Sequence, residues 1–299
     1  MKDLKKLKTI KEIKMQQYKP DNKILAPCYV TDMPSDIYHS HDSISNSGLK
    51  LISRSPAHYK YQPEREPTRN LVIGSALHMA VLEPDLYRET YFNSGAADRR
   101  AKVYKDLADE YGGEFVLTAN EADNIDGIAN SLWDKYSVLL SLPGNNELSG
   151  FSADPETGVV CRHRFDKLTQ NRIAIDLKTA VDARPEAFSK SIHAYGYHMQ
   201  QAFYSDQYEW ITGRMLNDFI FLVVESSAPY ACKSYRINQE SIDIGRDIYR
   251  KCLDEYAKCR ESGIWPAYSN DGIEEISIPS WAINQHDKQQ IESFVFMED

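Results

Sequence analysis

The chain is predicted to fold as a mixed α/β protein, a central sheet with helices on both faces. Three observations predict this class. The apolar period is helical over most of residues 45–140, changes to two between 147 and 178, and becomes helical again from Arg184. The run Phe219-Ile-Phe-Leu-Val-Val224 is continuously apolar, β-branched or aromatic, as suits a strand covered on both sides. Strands that alternate with helices in the second half bury their apolar faces by layering.

The elements follow in order. Residues 1–19 place Leu4, Leu7, Ile10 and Ile13 at helical spacing and read as a short basic amphipathic helix. Ser45-Asn-Ser-Gly-Leu-Lys-Leu-Ile52 opens on N-cap residue types and stops at Ser55-Pro56. Residues 61–70, with two prolines and four charges, read as a loop. Leu71 to Leu82 is apolar, of helix length, ends before Pro84 and carries His78 in its middle. Residues 98–111 and 119–140 are further helices, the second preceded by Thr118. Residues 147–154, 159–168 and 171–178 read as consecutive strands. Arg184 to Gly213 is helical with a break expected near Gly196, and Cys232 to Ile237 is a short strand. Ser241 to Ser262 is a long amphipathic helix ended by Gly263.

At 299 residues, 42% hydrophobic and 26% charged, the chain can bury a sizeable core in one large or two small domains. No apolar run approaches the ~20 residues of a membrane helix, and the N-terminus lacks the apolar stretch of a secretory signal. A cytoplasmic protein is expected. Cys28, Cys161, Cys232, Cys252 and Cys259 are odd in number and form no CxxC pair, so neither a disulfide framework nor a structural zinc site is expected. Cys252 and Cys259, seven apart on one helix, are expected on its buried stripe. The net charge of −9 does not suggest a general nucleic-acid coat protein, but it leaves a nuclease open, since the distribution of charge matters more than its sum. It is unevenly spread, since residues 1–19 hold seven lysines against two acids and leave about −14 on the rest. That segment reads as a solvated tail or as an arm for a phosphate backbone.

Chemistry concentrates in residues 159–180. Two apolar-alternating runs flank Thr169-Gln170-Asn171, which makes a β-hairpin, and each run carries an acid, Asp166 and Asp176. Lys178 lies two residues past the second acid and therefore on the same strand face. A carboxylate behind Arg172-Ile-Ala-Ile175 sits against a sheet interior, which is costly unless it is paired or metal-bound. Gln200 and Tyr204, four apart on the next helix, share a face. Two carboxylates and an ammonium on adjacent strands suit a hard metal ion that activates water against a phosphodiester.

These motifs resemble the PD-(D/E)XK nuclease superfamily, in particular its RecE-type exonucleases; the RecB nuclease domain and phage lambda exonuclease are more distant. The segments that carry the resemblance are Ile44-Ser-Asn-Ser-Gly-Leu49 with Ser55-Pro-Ala-His-Tyr59, then Gly74-Ser-Ala-Leu-His78, then Gly158-Val-Val-Cys-Arg-His-Arg-Phe-Asp166. Ile175-Asp-Leu-Lys-Thr179, Gln200-Gln-Ala-Phe-Tyr204 and Gly263-Ile-Trp-Pro-Ala-Tyr268 follow in the family's order, and the whole spans residues 30 to 282. The resemblance implies a restriction-endonuclease-like core, a central mixed β-sheet flanked by helices, over residues 30–282. Residues 1–29 would form a basic arm and 283–299 a tail, whose Phe294 and Phe296 at period two make a partner-docking peptide conceivable.

The resemblance also implies roles. Asp166, Asp176, the Leu177 carbonyl and His78 would hold Mg²⁺, or Mn²⁺ given the histidine, and two ions would occupy each site. Lys178 would position or deprotonate the attacking water, Gln200 and Tyr204 would hold the site or the DNA backbone, and Glu147 would be an additional active-site acid or else a solvated strand entry. Relatives that bear an iron–sulfur cluster need clustered downstream cysteines, which Cys232, Cys252 and Cys259 do not form, so no cluster is expected. No GxxxxGK[ST] motif occurs, so no motor is expected. The implied activity is degradation of the 5′-ended strand of linear duplex DNA, leaving a 3′ tail for a RecT-like annealing protein, by a homo-oligomeric ring. Lys50, Arg54, Arg99, Arg100 and Lys102 are candidate phosphate contacts. Two other readings share this fold, an endonuclease of restriction or repair type and a catalytically idle DNA-binding subunit.

Overall fold

The computed structural model describes residues 15–20, 24, 26–63, 68–268 and 272–286. In chain order the elements are β1 (Met15–Gln17), β2 (Cys28–Thr31), α1 (Ser35–Ser40), α2 (Asn46–Arg54), α3 (Pro56–Lys60), α4 (Arg69–Leu82), α5 (Pro84–Thr90), β3 (Phe92–Asn93), α6 (Lys102–Tyr111), β4 (Val116–Leu117) and α7 (Ala119–Leu140). They continue as β5 (Gly144–Ala153), β6 (Val160–Thr169), β7 (Ile173–Ala180), α8 (Pro185–Tyr195), α9 (Tyr197–Thr212), β8 (Asp218–Glu225), β9 (Cys232–Tyr235) and α10 (Gln239–Ser262). Among these residues no helix is long and apolar enough to cross a membrane.

Seven strands form one sheet in the order β1-β2-β5-β6-β7-β8-β9, with β3 and β4 paired apart. The pairs β1–β2 and β7–β8 are parallel and the other pairs of the large sheet antiparallel, so the sheet is mixed as expected. Along β7 and β8 alternate residues face opposite ways. Ile175, Leu177, Leu222 and Val224 pack against Leu77 and Val81 of α4 and Ile125 and Leu132 of α7. Ala174, Phe219, Phe221 and Val223 pack on the other face, with Phe188 of α8 and Tyr208 and Ile211 of α9. Leu49 and Ile52 of α2 join Phe203, Tyr249 and Leu253 in the layer made by α9 and α10. Each such fully buried side chain contributes about 1.5–3 kcal/mol.

Local chemistry sets the helix ends. Thr118 and Glu121 form a capping box at the start of α7. The same carboxylate pairs with Arg69 at 2.5 Å, and the Arg69 guanidinium also donates to the Val116 carbonyl at 2.8 Å, tying the start of α4 to that of α7. Burial opposes the Glu121 charge, but these bonds outweigh it and bring its pKa to about 2. The expected break in the long helix falls on Gly196, whose φ of +65° ends α8 and starts α9.

The basic N-terminal helix does not extend to residue 19. Met15–Gln17 is instead a strand parallel to β2, with Gln16 in register with Val30. The outer edge of β2 offers unpaired backbone groups, and pairing with them wins over local helical spacing. Leu4, Leu7, Ile10 and Ile13 lie outside the described residues, as do Phe294 and Phe296. The chain divides into two compact units, residues 1–265 and 266–299. In the second, a short helical turn over 280–286 begins with the Ala282 amide donating to the Pro279 carbonyl at 2.8 Å.

Candidate active site

The β6–β7 hairpin is paired only near its turn. Lys167 opposes Ile175 and Leu168 opposes Ala174, and there the ladder stops. One step further, the same register would set Asp166 opposite Asp176. The strands part instead, and the Leu177 amide that would have continued the ladder donates to the Asp166 carboxylate at 2.7 Å. On the other side of β6, Glu147 falls opposite Asp166 in the β5–β6 register, and that rung is also missing. Glu147 has φ +45°, a left-handed conformation that costs a non-glycine residue about 1–2 kcal/mol. Three acids on three neighbouring strands thus meet where both ladders are interrupted.

Helices on either side of the sheet supply the partners of these acids. On the α4 side, His78 Nδ1 lies 3.5 Å from Asp166 and 3.9 Å from Glu147. On the α9 side, Gln200 donates to Asp176 at 2.6 Å, and Lys178 meets the other Asp176 oxygen at 2.5 Å. The Lys178 ammonium also sits over the Tyr197 ring, 4.8 Å from its centroid. Asp176 is 3% exposed, so it needs both partners.

Electrostatics follow from this crowding. Burial raises the pKa of Asp166, and the Glu147 charge adds to it while His78 opposes it. Burial likewise raises Asp176, against the pull of Lys178. Burial works against the His78 imidazolium, but Asp166 and Glu147 prevail and bring it up to about 9. Lys178 is pushed up by Asp176 and Asp166 in spite of burial, so it carries its proton.

Two half-buried groups fix the frame. Asn146, next to Glu147, donates to the Leu82 carbonyl at the end of α4 at 2.7 Å and accepts from Lys167, next to Asp166, at 3.2 Å. This clip sets the heights of His78, Glu147 and Asp166 relative to one another. Arg164, two residues before Asp166 on β6, donates to Ser149 at 2.9 Å and to the Met33 carbonyl at 2.8 Å. Its guanidinium lies 3.9 Å from Glu147 and stacks on Tyr38, 4.3 Å from the ring centroid.

The structure brings together His78, Glu147, Asp166, Asp176, Lys178 and Gln200, with Tyr204 beside them. Tyr204 packs edge-on against Phe165 at 5.6 Å, and its hydroxyl meets the Arg164 main chain. Of the five candidate phosphate contacts, Lys50 lies within reach of the charges of Lys178 and Asp176. Arg54 ends α2; Arg99 and Arg100 line a separate cleft with Arg69 and Tyr104, where Arg100 pairs with Asp98 at 3.3 Å; Lys102 begins α6. Arg164, Tyr38, Tyr197, Asn146 and Lys167 were not singled out from the sequence. A signal existed only for Arg164, which shares a strand face with Asp166 by its spacing of two. The others arrive through contacts distant in sequence.

A cleft of about 800 Å³ opens between α4 and the α2–α9 side, lined among others by Tyr38, His78, Glu147, Arg164, Asp166 and Tyr204. Ligand atoms of His78, Glu147 and Asp166 all lie within 4.8 Å of one another. One imidazole and two carboxylates, held together against their own repulsion, fit a divalent cation. Mn²⁺ at about a hundredfold excess over its Kd should therefore stabilise the protein by about 2.7 kcal/mol. Because His78 must give up its proton, uptake at neutral pH should release protons. Asp166→Asn should lose the response. A melting curve of the wild type that ignores Mn²⁺ rules this set out as a metal centre.

A mixed sheet parted between two acid-bearing strands, with a lysine two residues past the second acid, is a core of the PD-(D/E)XK kind. The chain belongs to the family of PDDEXK-like domains of unknown function (DUF3799), which it matches over residues 45–275. Among solved structures it is similar to a protein of Eubacterium rectale described as "Putative exonuclease", at 12% identity and TM-score 0.58, over 85% of this chain and 98% of that one. A second, SSO0001, aligns at 13% identity and TM-score 0.29 over 71% of this chain and 86% of that one. At these identities the first likeness speaks for the fold alone. No curated protein matches the chain.

Proposed function

We propose that the chain is a metal-dependent exodeoxyribonuclease of the RecE type that hydrolyses linear duplex DNA from the 5′ end and leaves a 3′ single-stranded tail. The observation that carries the reading is the convergence of Glu147, Asp166, Asp176 and Lys178 on one interruption of the sheet, with His78 above it. Mg²⁺ or Mn²⁺ is the cofactor in this reading, two ions per site. His78, Glu147, Asp166, Asp176 and the Leu177 carbonyl would hold them. A strand residue sends its N–H and C=O to the same edge, and the Leu177 amide already points at Asp166. Such ions neutralise phosphate charge and lower the pKa of water.

The chain's own groups have separable tasks. Lys178, protonated, donates to the attacking water and to the phosphorane-like transition state, where charge builds up. Asp176 holds Lys178, and Gln200 holds Asp176. Arg164 restrains Glu147, and Tyr204 packs behind β6. A homo-oligomeric ring around the DNA, and a RecT-like annealing protein that takes up the 3′ tail, belong to the same proposal.

The purified protein, given Mg²⁺ or Mn²⁺, is expected to degrade linear duplex DNA and to leave covalently closed circles intact. Nicking of circles would show an endonuclease. Survival of both substrates would show an idle subunit. Labelling one strand at its 5′ end and following the first product released tests the polarity.

A further inference from the structure

We propose that Lys50 is a second active-site cation, which grips a phosphate of the bound DNA strand on the α9 side of the site, next to the phosphate being cut. The proposal rests on the nuclease reading above and adds a substrate contact to it.

Lys50 lies four residues after Asn46 and three after Ser47 on α2, and both of those residues line the cleft. Side chains three and four apart share a helix face, and long ones lean back towards the helix N-terminus. The Lys50 stem therefore runs towards the site rather than out from the helix end. Its Cε rests against Gly196, close enough that a Cβ there would lie 3.3 Å away. The next residue, Tyr197, carries the Lys178 ammonium on its ring. The two lysines thus bracket a two-residue stretch at the α8–α9 junction, and the charges that act on Lys50 are those of Lys178 and Asp176.

Lys50 is only partly exposed, yet among the described residues it has no ion pair and no hydrogen bond. Asp176, the acid whose charge reaches it, already has both oxygens engaged, by Gln200 and Lys178. Burial and the repulsion of Lys178 pull the Lys50 pKa down to about 8, the expected cost of a cation kept short of partners. Lysines on a solvated face have no such cost. A phosphodiester is the anion that the proposed reaction delivers to this place, and its non-bridging oxygens would balance the charge and accept from the ammonium. The surrounding acids would repel a bare DNA backbone, so a cation on this side also offsets Asp176 towards the substrate.

The experiment measures kcat/KM on linear duplex DNA with Mn²⁺ over a series of salt concentrations. It compares wild type with Lys50→Met, which keeps the stem and removes the charge, and with Lys50→Arg. Lys50→Gln replaces the methionine variant if that one melts at a lower temperature than wild type. We expect the neutral variant to lose about tenfold in kcat/KM at low salt, mainly through KM, one tenfold step being ~1.4 kcal/mol. The slope of log kcat/KM against log salt should become shallower by about one. Lys50→Arg should recover most of both. An unchanged slope in the neutral variant, or an arginine variant as impaired as the neutral one, overturns the role of Lys50 and leaves the nuclease reading intact. A wild type that cuts no DNA fails the nuclease reading itself, and the role of Lys50 falls with it.

Discussion

Replacing Lys178 with methionine is expected to reduce kcat for DNA cleavage by about 10³-fold while the protein remains folded. The magnitude is that of losing one preorganised donor where transition-state charge develops. Methionine keeps the apolar stem over the Tyr197 ring and removes only the ammonium. Asp176 would keep its bond from Gln200, so the strand should hold its place. The loss should fall on kcat rather than KM, because the ammonium serves the transition state more than the bound substrate. Single-turnover kinetics with a melting curve on the same sample decide it. A variant that cuts within a few-fold of wild type would refute the assignment of the site.

The largest expected effect on stability lies away from the chemistry. Asp154 closes the β5–β6 turn, where its carboxylate accepts from the Thr157 amide at 2.8 Å and hydroxyl at 2.6 Å. It also binds both terminal nitrogens of Arg250 on α10, at 2.5 and 3.2 Å. Its side chain is 0% exposed. Asp154→Ala should cost about 3–5 kcal/mol, the penalty for leaving one member of a buried pair behind. Glu156, 3.1 Å from Arg250, should hold the loss near the lower end. The Tm should fall by roughly 2–4 °C for each kcal/mol. The double variant Asp154→Ala/Arg250→Met should regain part of the loss, since the stranded charge is gone. A single variant that melts like wild type would mean the pair contributes little.

The sequence was most legible where a period repeats for long enough. The helix over 119–140, the strands on either side of Thr169-Gln170-Asn171 and the helix ended by Gly263 all lie where apolar spacing and caps place them. Short pieces were not legible. β1 and β2 hold three and four residues, too few to establish a period, and β1 exists because β2 offers it an edge. At the site, Asp166, Asp176 and Lys178 announce themselves by spacing on a hairpin, and His78, Gln200 and Tyr204 by their place in ordered motifs. What the spacing does not reveal is that the hairpin is open. A regular hairpin would have set the two acids side by side on a closed ladder. The broken rungs and the φ of Glu147 are properties of packing among α4, β5 and β6, and no local run of residues encodes them.

The opening between β6 and β7 has a mechanical consequence. Only two rungs join β1-β2-β5-β6 to β7-β8-β9, whereas β5–β6 and β7–β8 are laced along most of their length. The sheet therefore behaves as two stiff leaves on a narrow spine, with Asp166 on one leaf and Asp176 on the other. The acids lie one step past the last rung, close to that spine, so a flexing of the leaves would open the far ends of β6 and β7 while the two carboxylates keep nearly their separation. The site thus holds its dimensions at the very place where the sheet is divided.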